Sequence, residues 1–93
     1  MSLTDPVTHN PENARFEISI EGSLAVLDYE LSDGLMTITH TFVPPELRGR
    51  SIAGQLAKAA FHYAQAENLK VIPQCSYISV YAHRHSEVRN LLV

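Results

Sequence analysis

With 93 residues, 45% of them hydrophobic and 18% charged, the chain suits one small globular domain and leaves no room for a second. A formal net charge of -3 excludes any general attraction to nucleic acid or anionic membranes, so a polyanion site would have to be local. Cys75, the single cysteine, excludes an internal disulfide; no apolar run approaches the ~20 residues that span a bilayer, and the polar stretch 1–15 lacks a signal-peptide centre, so a cytoplasmic protein is expected.

Residues 1–14, with Pro6 and Pro11 and no periodicity, read as a loose N-terminal arm or a weakly paired edge, ahead of a single domain over 15–93. Phe16, Ile18 and Ile20 alternate with Glu17, Ser19 and Glu21, the pattern of a half-exposed strand, and Gly22 turns the chain. A second strand is predicted over 24–31. Ser32-Asp33-Gly34 is a hairpin signal, because glycine accepts the positive φ of such turns, and 35–43 returns as a third strand. On that strand Met36, Ile38, His40 and Phe42 fall on one face and Thr37, Thr39 and Thr41 on the other, which puts His40 in an apolar row.

From 52 to 67 the residues Ile52, Leu56, Ala59, Ala60, Tyr63 and Ala64 recur at helical spacing, and Asn68 ends the helix. The run 69–73 reads as a short buried strand after a helical crossover, parallel to the strand that fed the helix and ended by Pro73. Tyr77, Val80, Tyr81 and Arg84 then mark a last helix, expected to break near Ser86. The fold class is α+β: an antiparallel β-meander followed by a β-α-β-α unit, one mixed sheet with helices on at least one face.

The junction Val43-Pro-Pro-Glu-Leu-Arg48-Gly49-Arg50-Ser51-Ile52-Ala53-Gly54 carries the functional signal. The first turn of a helix leaves backbone N–H groups unpaired, and a glycine-containing approach converts them into an anion site, here with two arginines beside it. A bare Arg-Gly pair would suit any strand-to-helix turn. The strand before, the apolar helix after and the longer motif match given next favour a phosphate cradle.

Val43-x-Pro45-x-x-Arg48-Gly49-x-Ser51-x-Ala53 resembles the acetyl-CoA pyrophosphate loop of the GNAT N-acetyltransferase superfamily, whose pattern is Arg/Gln-x-x-Gly-x-Gly/Ala. Together with Ile38-Thr-His-Thr, Pro44-Pro-Glu-Leu-Arg-Gly-Arg, Ile52-Ala-Gly and Cys75-Ser-Tyr, the chain is similar over most of its length to the minimal GNAT-like family of about ninety residues, the YjdJ type. The resemblance implies the acyl-CoA N-acyltransferase fold, with acetyl-CoA as co-substrate held by the N–H groups of Arg48, Gly49, Arg50, Ser51, Ile52, Ala53 and Gly54. The thiol end would then lie where the third and fourth strands splay and Phe42 and Val43 meet residues 72–75. Ser51 stands where the pattern has glycine. If a positive φ is needed there, serine costs about 1 kcal/mol, unless its hydroxyl caps the helix or donates to a phosphate.

Three candidates for chemistry follow. Cys75 sits where a strand hands over to a helix, near N–H groups that favour a thiolate, and an acetyl-cysteine would exchange one thioester for another; the other reading is a small apolar filler. Tyr81 occupies the place where many GNAT enzymes carry the tyrosine that protonates the departing CoA thiolate, or belongs with Tyr77 to a packing stripe. His40 could deprotonate an attacking amine or be a core histidine with one satisfied ring nitrogen. His83 and His85, two apart on a helix, face different ways, so no metal site is expected.

A full GNAT domain is longer and builds its acceptor pocket from elements this chain lacks. The acceptor amine, small molecule or protein, is therefore expected on an open surface or from a partner. Two functions stand: a minimal N-acetyltransferase acting on a primary amine, through acetyl-Cys75 or directly, and a non-catalytic acyl-CoA-binding or interaction module.

Overall fold

The computed structural model describes residues 7–93, and the alternation noted above becomes an antiparallel meander. Its strands are β1 (Thr8–Asn10), β2 (Arg15–Ile20), β3 (Ser23–Ser32) and β4 (Leu35–Phe42). Two-residue turns join β2 to β3 and β3 to β4. In both, the pair has positive φ, 53° and 83° at Glu21-Gly22 and 53° and 77° at Asp33-Gly34, the type I′ geometry whose twist matches that of the strands. Of the arm expected over 1–14, Thr8–Asn10 is an edge strand paired with β2, and residues 1–6 lie outside the described residues. His9 anchors that edge: its ring stacks on Phe16 at 4.2 Å and its Nε2 lies 2.6 Å from the Tyr29 hydroxyl.

Helix α1 (Ile52–Ala66) crosses from β4 to β5 (Lys70–Pro73), which pairs parallel to β4, and helix α2 (Ser76–Arg84) follows. Asn68, with φ 58°, turns the chain out of α1 while Leu69 N–H donates to the Ala64 carbonyl at 2.8 Å. Past α2 the backbone breaks at His85 and continues as a 3-10 helix over Ser86–Leu91. The sheet order is β1-β2-β3-β4-β5.

One face of the sheet carries the core. There α1 lies over β2 and β3, and α2 over β4 and β5. Phe16, Ile18, Leu27, Met36, Ile38 and Val71 meet Leu56, Ala60, Phe61 and Ile78, all buried. Parallel pairing of β4 with β5 stops at Ile38 and Pro73 although β4 runs on to Phe42, so the two strands splay at that end.

Strand β4 does not keep one phase, and this overturns the apolar row drawn through His40. Asp28 faces His40, yet the next residue of β3, Tyr29, faces Ile38, so Thr39 is an extra residue on β4. Such a bulge inverts the alternation. Met36 and Ile38 point into the core, whereas beyond the bulge Thr41, opposite buried Leu27, takes over the covered face. His40 and Phe42 stand exposed on the uncovered face, Phe42 with 43% of its surface accessible.

Candidate functional site

The loop between β4 and α1 is shaped by its own sequence. Pro45–Leu47 forms a 3-10 turn, and the Arg48 Nε group donates to the Val43 carbonyl at 3.0 Å, tying the loop back to the end of β4. Ser23 Oγ donates to Glu46 Oε2 at 2.5 Å and pins the turn to the β2–β3 hairpin. The chain then enters the left-handed region twice, at Gly49 (φ 84°) and Ser51 (φ 60°, ψ 26°). Gly49 meets a conformational demand, since a Cβ there would touch nothing within 4 Å. Ser51 adopts the strained conformation without the benefit of a cap, because its hydroxyl makes no capping bond.

The first intrahelical bond of α1 runs from Gln55 N–H to the Ser51 carbonyl at 3.1 Å. The N–H groups of Ile52, Ala53 and Gly54 precede it, and with those of Gly49, Arg50 and Ser51 they find no acceptor among the described residues. All of these residues except Arg50 border an open groove of about 190 Å³ between the loop, Val43, Leu47 and Tyr77. This concave run of donors, with two arginines in it, suits a diphosphate.

Tyr77 is the site residue that sequence reasoning passed over as part of a packing stripe. It lies in the first turn of α2, and a Cβ on Gly54 would sit 3.7 Å from its hydroxyl oxygen. Burial raises the Tyr77 pKa against a smaller opposing effect of Arg84, so the phenol holds its proton at neutral pH. The available signal was position: the residue two after Cys75 belongs to the same helix start.

Cys75 is the N-cap residue of α2 and is partly buried. Its backbone N–H donates to the Ile38 carbonyl at 2.9 Å, the last link between the splaying strands. The Sγ atom lies 3.5 Å from Thr41 Oγ1. Burial alone would raise the thiol pKa. Hydrogen bonding by the Thr41 hydroxyl and by backbone groups of Ile78, Tyr77 and Thr41 outweighs it, leaving the pKa below the ordinary thiol value.

Tyr81 is not brought to the cradle. Four residues carry it about 6 Å further along α2, and it lines a second cavity of about 420 Å³ with Phe61 and His85. Its ring stacks on His85 at 3.9 Å and on Phe61 at 5.8 Å. Burial first, then Glu87 and Tyr77, raise its pKa. His40 is likewise parted from Cys75: the bulge sends it to the open face, while Thr41 and Cys75 share the covered one. The structure thus assembles the cradle with Tyr77, sets Cys75 with Thr41, and leaves Phe42 and His40 together on the outer sheet surface. Among the described residues no three His, Cys, Asp or Glu side chains are grouped to hold a metal ion, and no helix is long and apolar enough to cross a membrane.

Comparison with known proteins matches this geometry to a group. Residues 15–91 fit the sequence pattern described as GCN5-related N-acetyl-transferase. Protein NATD1 of Mus musculus is 38% identical over 78 residues, which cover 81% of this chain and 71% of that protein. Protein NATD1 of Danio rerio is 41% identical over 75 residues, covering 77% and 68%. In three dimensions the chain is similar to a GCN5-like protein from Staphylococcus aureus solved by NMR, with a TM-score of 0.76, 24% identity, and coverage of 98% of this chain and 91% of that one. The last likeness establishes the fold, that of the acyl-CoA N-acyltransferases.

Proposed function

The chain belongs to the GCN5-related N-acetyltransferase family, and from that premise we propose that it binds acetyl-CoA in the Arg48–Gly54 cradle and transfers the acetyl group to a primary amine. The observation that carries this reading is the run of unpaired N–H groups from Gly49 to Gly54, beside a groove that Tyr77 borders on the α2 side. These groups, with Arg48 and Arg50, hold the diphosphate. Beyond Ile38 the edge of β4 is free of β5, and the backbone of Phe42 and Val43 there guides the thiol-bearing arm.

The donor supplies an activated acyl thioester. Attack by the amine nitrogen on the carbonyl carbon forms the C–N bond and breaks the C–S bond. Tyr77 gives its proton to the departing sulfur, and His40, accessible on the open face, takes the proton shed by the amine. In a two-step route the Cys75 thiolate attacks first, forming a thioester on Sγ and releasing the CoA thiol, and the amine then attacks that thioester. The lowered pKa of Cys75 favours this route.

A second reading, a non-catalytic acyl-CoA-binding module, is favoured by one observation: His40 and Cys75 fall on opposite faces of the sheet. Incubation with acetyl-CoA, followed by intact-mass analysis of the wild type and Cys75→Ala and by assays on a panel of amines, separates the two. The enzyme reading expects transfer to at least one amine, with acetyl on Cys75 if the route is covalent. No acetylated species and no acetylated amine would overturn it. Binding is checked by thermal shift: CoA at a hundredfold over its Kd adds about 2.7 kcal/mol, roughly 10 °C or more in Tm for a domain of this size.

A further inference from the structure

Strands β2, β3 and β4 are covered by helices on one side, and their other side presents an apolar strip whose side chains none of the transfer steps uses. Leu24 and Val26 share that side of β3, and Phe42 of β4 stands directly opposite Val26. Val26 is buried, whereas Leu24 and Phe42 each leave 43% of their surface accessible. Because the three are neighbours on one face, they form a continuous patch rather than scattered surface apolar groups.

The charges around the patch are of one sign once their partners are counted. Across the sheet, Arg15, Asp28 and His40 form one row and Glu17, Val26 and Phe42 the next. Arg15 Nε is taken up by Asp28 at 3.0 Å, and Lys70 Nζ, at the β5 edge, by the Asn90 carbonyl at 2.8 Å. Glu17 Oε2 accepts from Asn10 Nδ2 at 3.4 Å but meets no cation, and exposed Glu30 has no ionic partner among the described residues. Glu17 is level with Val26, and Glu30 lies four residues further along β3, about 13 Å away.

We propose that this open face docks an extended polypeptide segment with both apolar and basic side chains, an assignment independent of what the cradle holds. Side chains on one face of an extended segment recur about every 7 Å. Two lysines four residues apart therefore span Glu17 and Glu30, while a leucine on the near side packs on Leu24 and Phe42, with His40 inside the footprint. A second copy of this chain would add carboxylates to carboxylates. Nucleic acid and anionic bilayers are repelled by the same charges, and a free polyamine offers nothing to the apolar patch.

Chemical-shift mapping on the isotope-labelled whole chain tests this with the end-blocked peptide Leu-Thr-Lys-Thr-Ser-Thr-Lys, the same peptide with glutamate for both lysines, and spermidine. The lysine peptide is expected to give saturable shifts centred on Leu24, Val26, His40 and Phe42, with the other two probes weaker by about tenfold or more. Glu17→Gln combined with Glu30→Gln should raise the Kd of the lysine peptide about three- to tenfold, and Leu24→Ser about tenfold. The spectrum of each variant reports its fold directly. Absence of saturable shifts, shifts centred elsewhere, equal binding of the lysine peptide and either other probe, or folded variants that bind as the wild type does, overturns the proposal. Shifts on this face that grow with chain concentration alone, alongside a doubled mass in sedimentation, overturn it in favour of a second copy.

Discussion

Thr41 Oγ1 lies 3.5 Å from Cys75 Sγ, across the gap that opens once β4 and β5 cease to pair at Ile38 and Pro73. The contact exists because the bulge at Thr39 turns Thr41 onto the covered face. It is one of the hydrogen bonds that hold the thiol pKa below its ordinary value. Thr41→Val is therefore expected to raise that pKa and to slow alkylation of Cys75 at neutral pH several-fold. Unchanged alkylation across a pH series would show that the backbone groups of Ile78, Tyr77 and Thr41 suffice.

Tyr77 and Tyr81 are four residues apart but only Tyr77 reaches the cradle groove. With Tyr77 as the proton donor, Tyr77→Phe should lower kcat about a hundredfold with little change in KM. Tyr81→Phe, which keeps the ring between Phe61 and His85, should leave kcat within about threefold. The reverse ranking would return the role to Tyr81.

Exposure of His40 separates stability from chemistry. His40→Ala should change unfolding free energy by less than about 0.5 kcal/mol, as surface substitutions do, where loss of a packed core histidine would cost several times more. If His40 accepts the amine proton, the same variant loses transfer activity at neutral pH while CoA affinity is kept. Activity equal to wild type in the pH profile would remove it from the mechanism.

Ser51 at φ 60° carries a left-handed strain of about 1 kcal/mol that no capping bond offsets. Ser51→Gly should raise Tm by about 4 °C, partly reduced by the greater freedom of glycine in the unfolded chain. CoA affinity should stay equal or improve. A loss of affinity would mean that the hydroxyl itself contacts the phosphate.

His9 makes the β1 edge sensitive to acid. Burial lowers its pKa, so the folded chain favours the neutral ring that meets Tyr29. The sign follows: this contribution to stability is complete above the unfolded histidine value of about 6.5 and is lost as pH falls through the lower folded value. Thermal melts from pH 7.5 to 5 should show His9→Phe with a shallower acid decline than the wild type. At pH 7.5 the variant should be less stable by about 1–3 kcal/mol, because the buried Tyr29 hydroxyl loses its partner. Parallel curves would assign the acid decline to other groups.

Local signals were readable without a structure. Asp33-Gly34 marked its hairpin because two successive positive φ angles suit few residue pairs, and the Pro45-to-Gly54 stretch marked a helix start by its own turn residues. The partner of a side chain was not readable in this way. Which face His40 takes depends on how β4 registers against β3, residues a dozen positions earlier, and the extra residue at Thr39 leaves no mark in the alternation of apolar and polar types. Tyr77 and Tyr81 look alike in a periodic pattern, since spacing fixes that they share a helix face and not what each end of that face meets.

By itself, then, the sequence determined the order of the main elements and the α+β class, because each follows from backbone preferences and periodicity over a few neighbouring residues, while the family was legible only through the resemblance of its loop motifs. Only the tertiary structure decided that Thr41 rather than His40 meets Cys75, that Tyr77 rather than Tyr81 borders the groove, and that a cavity lies along the α1–α2 seam. Those are outcomes of strand register and helix docking, long-range packing choices that no local pattern encodes.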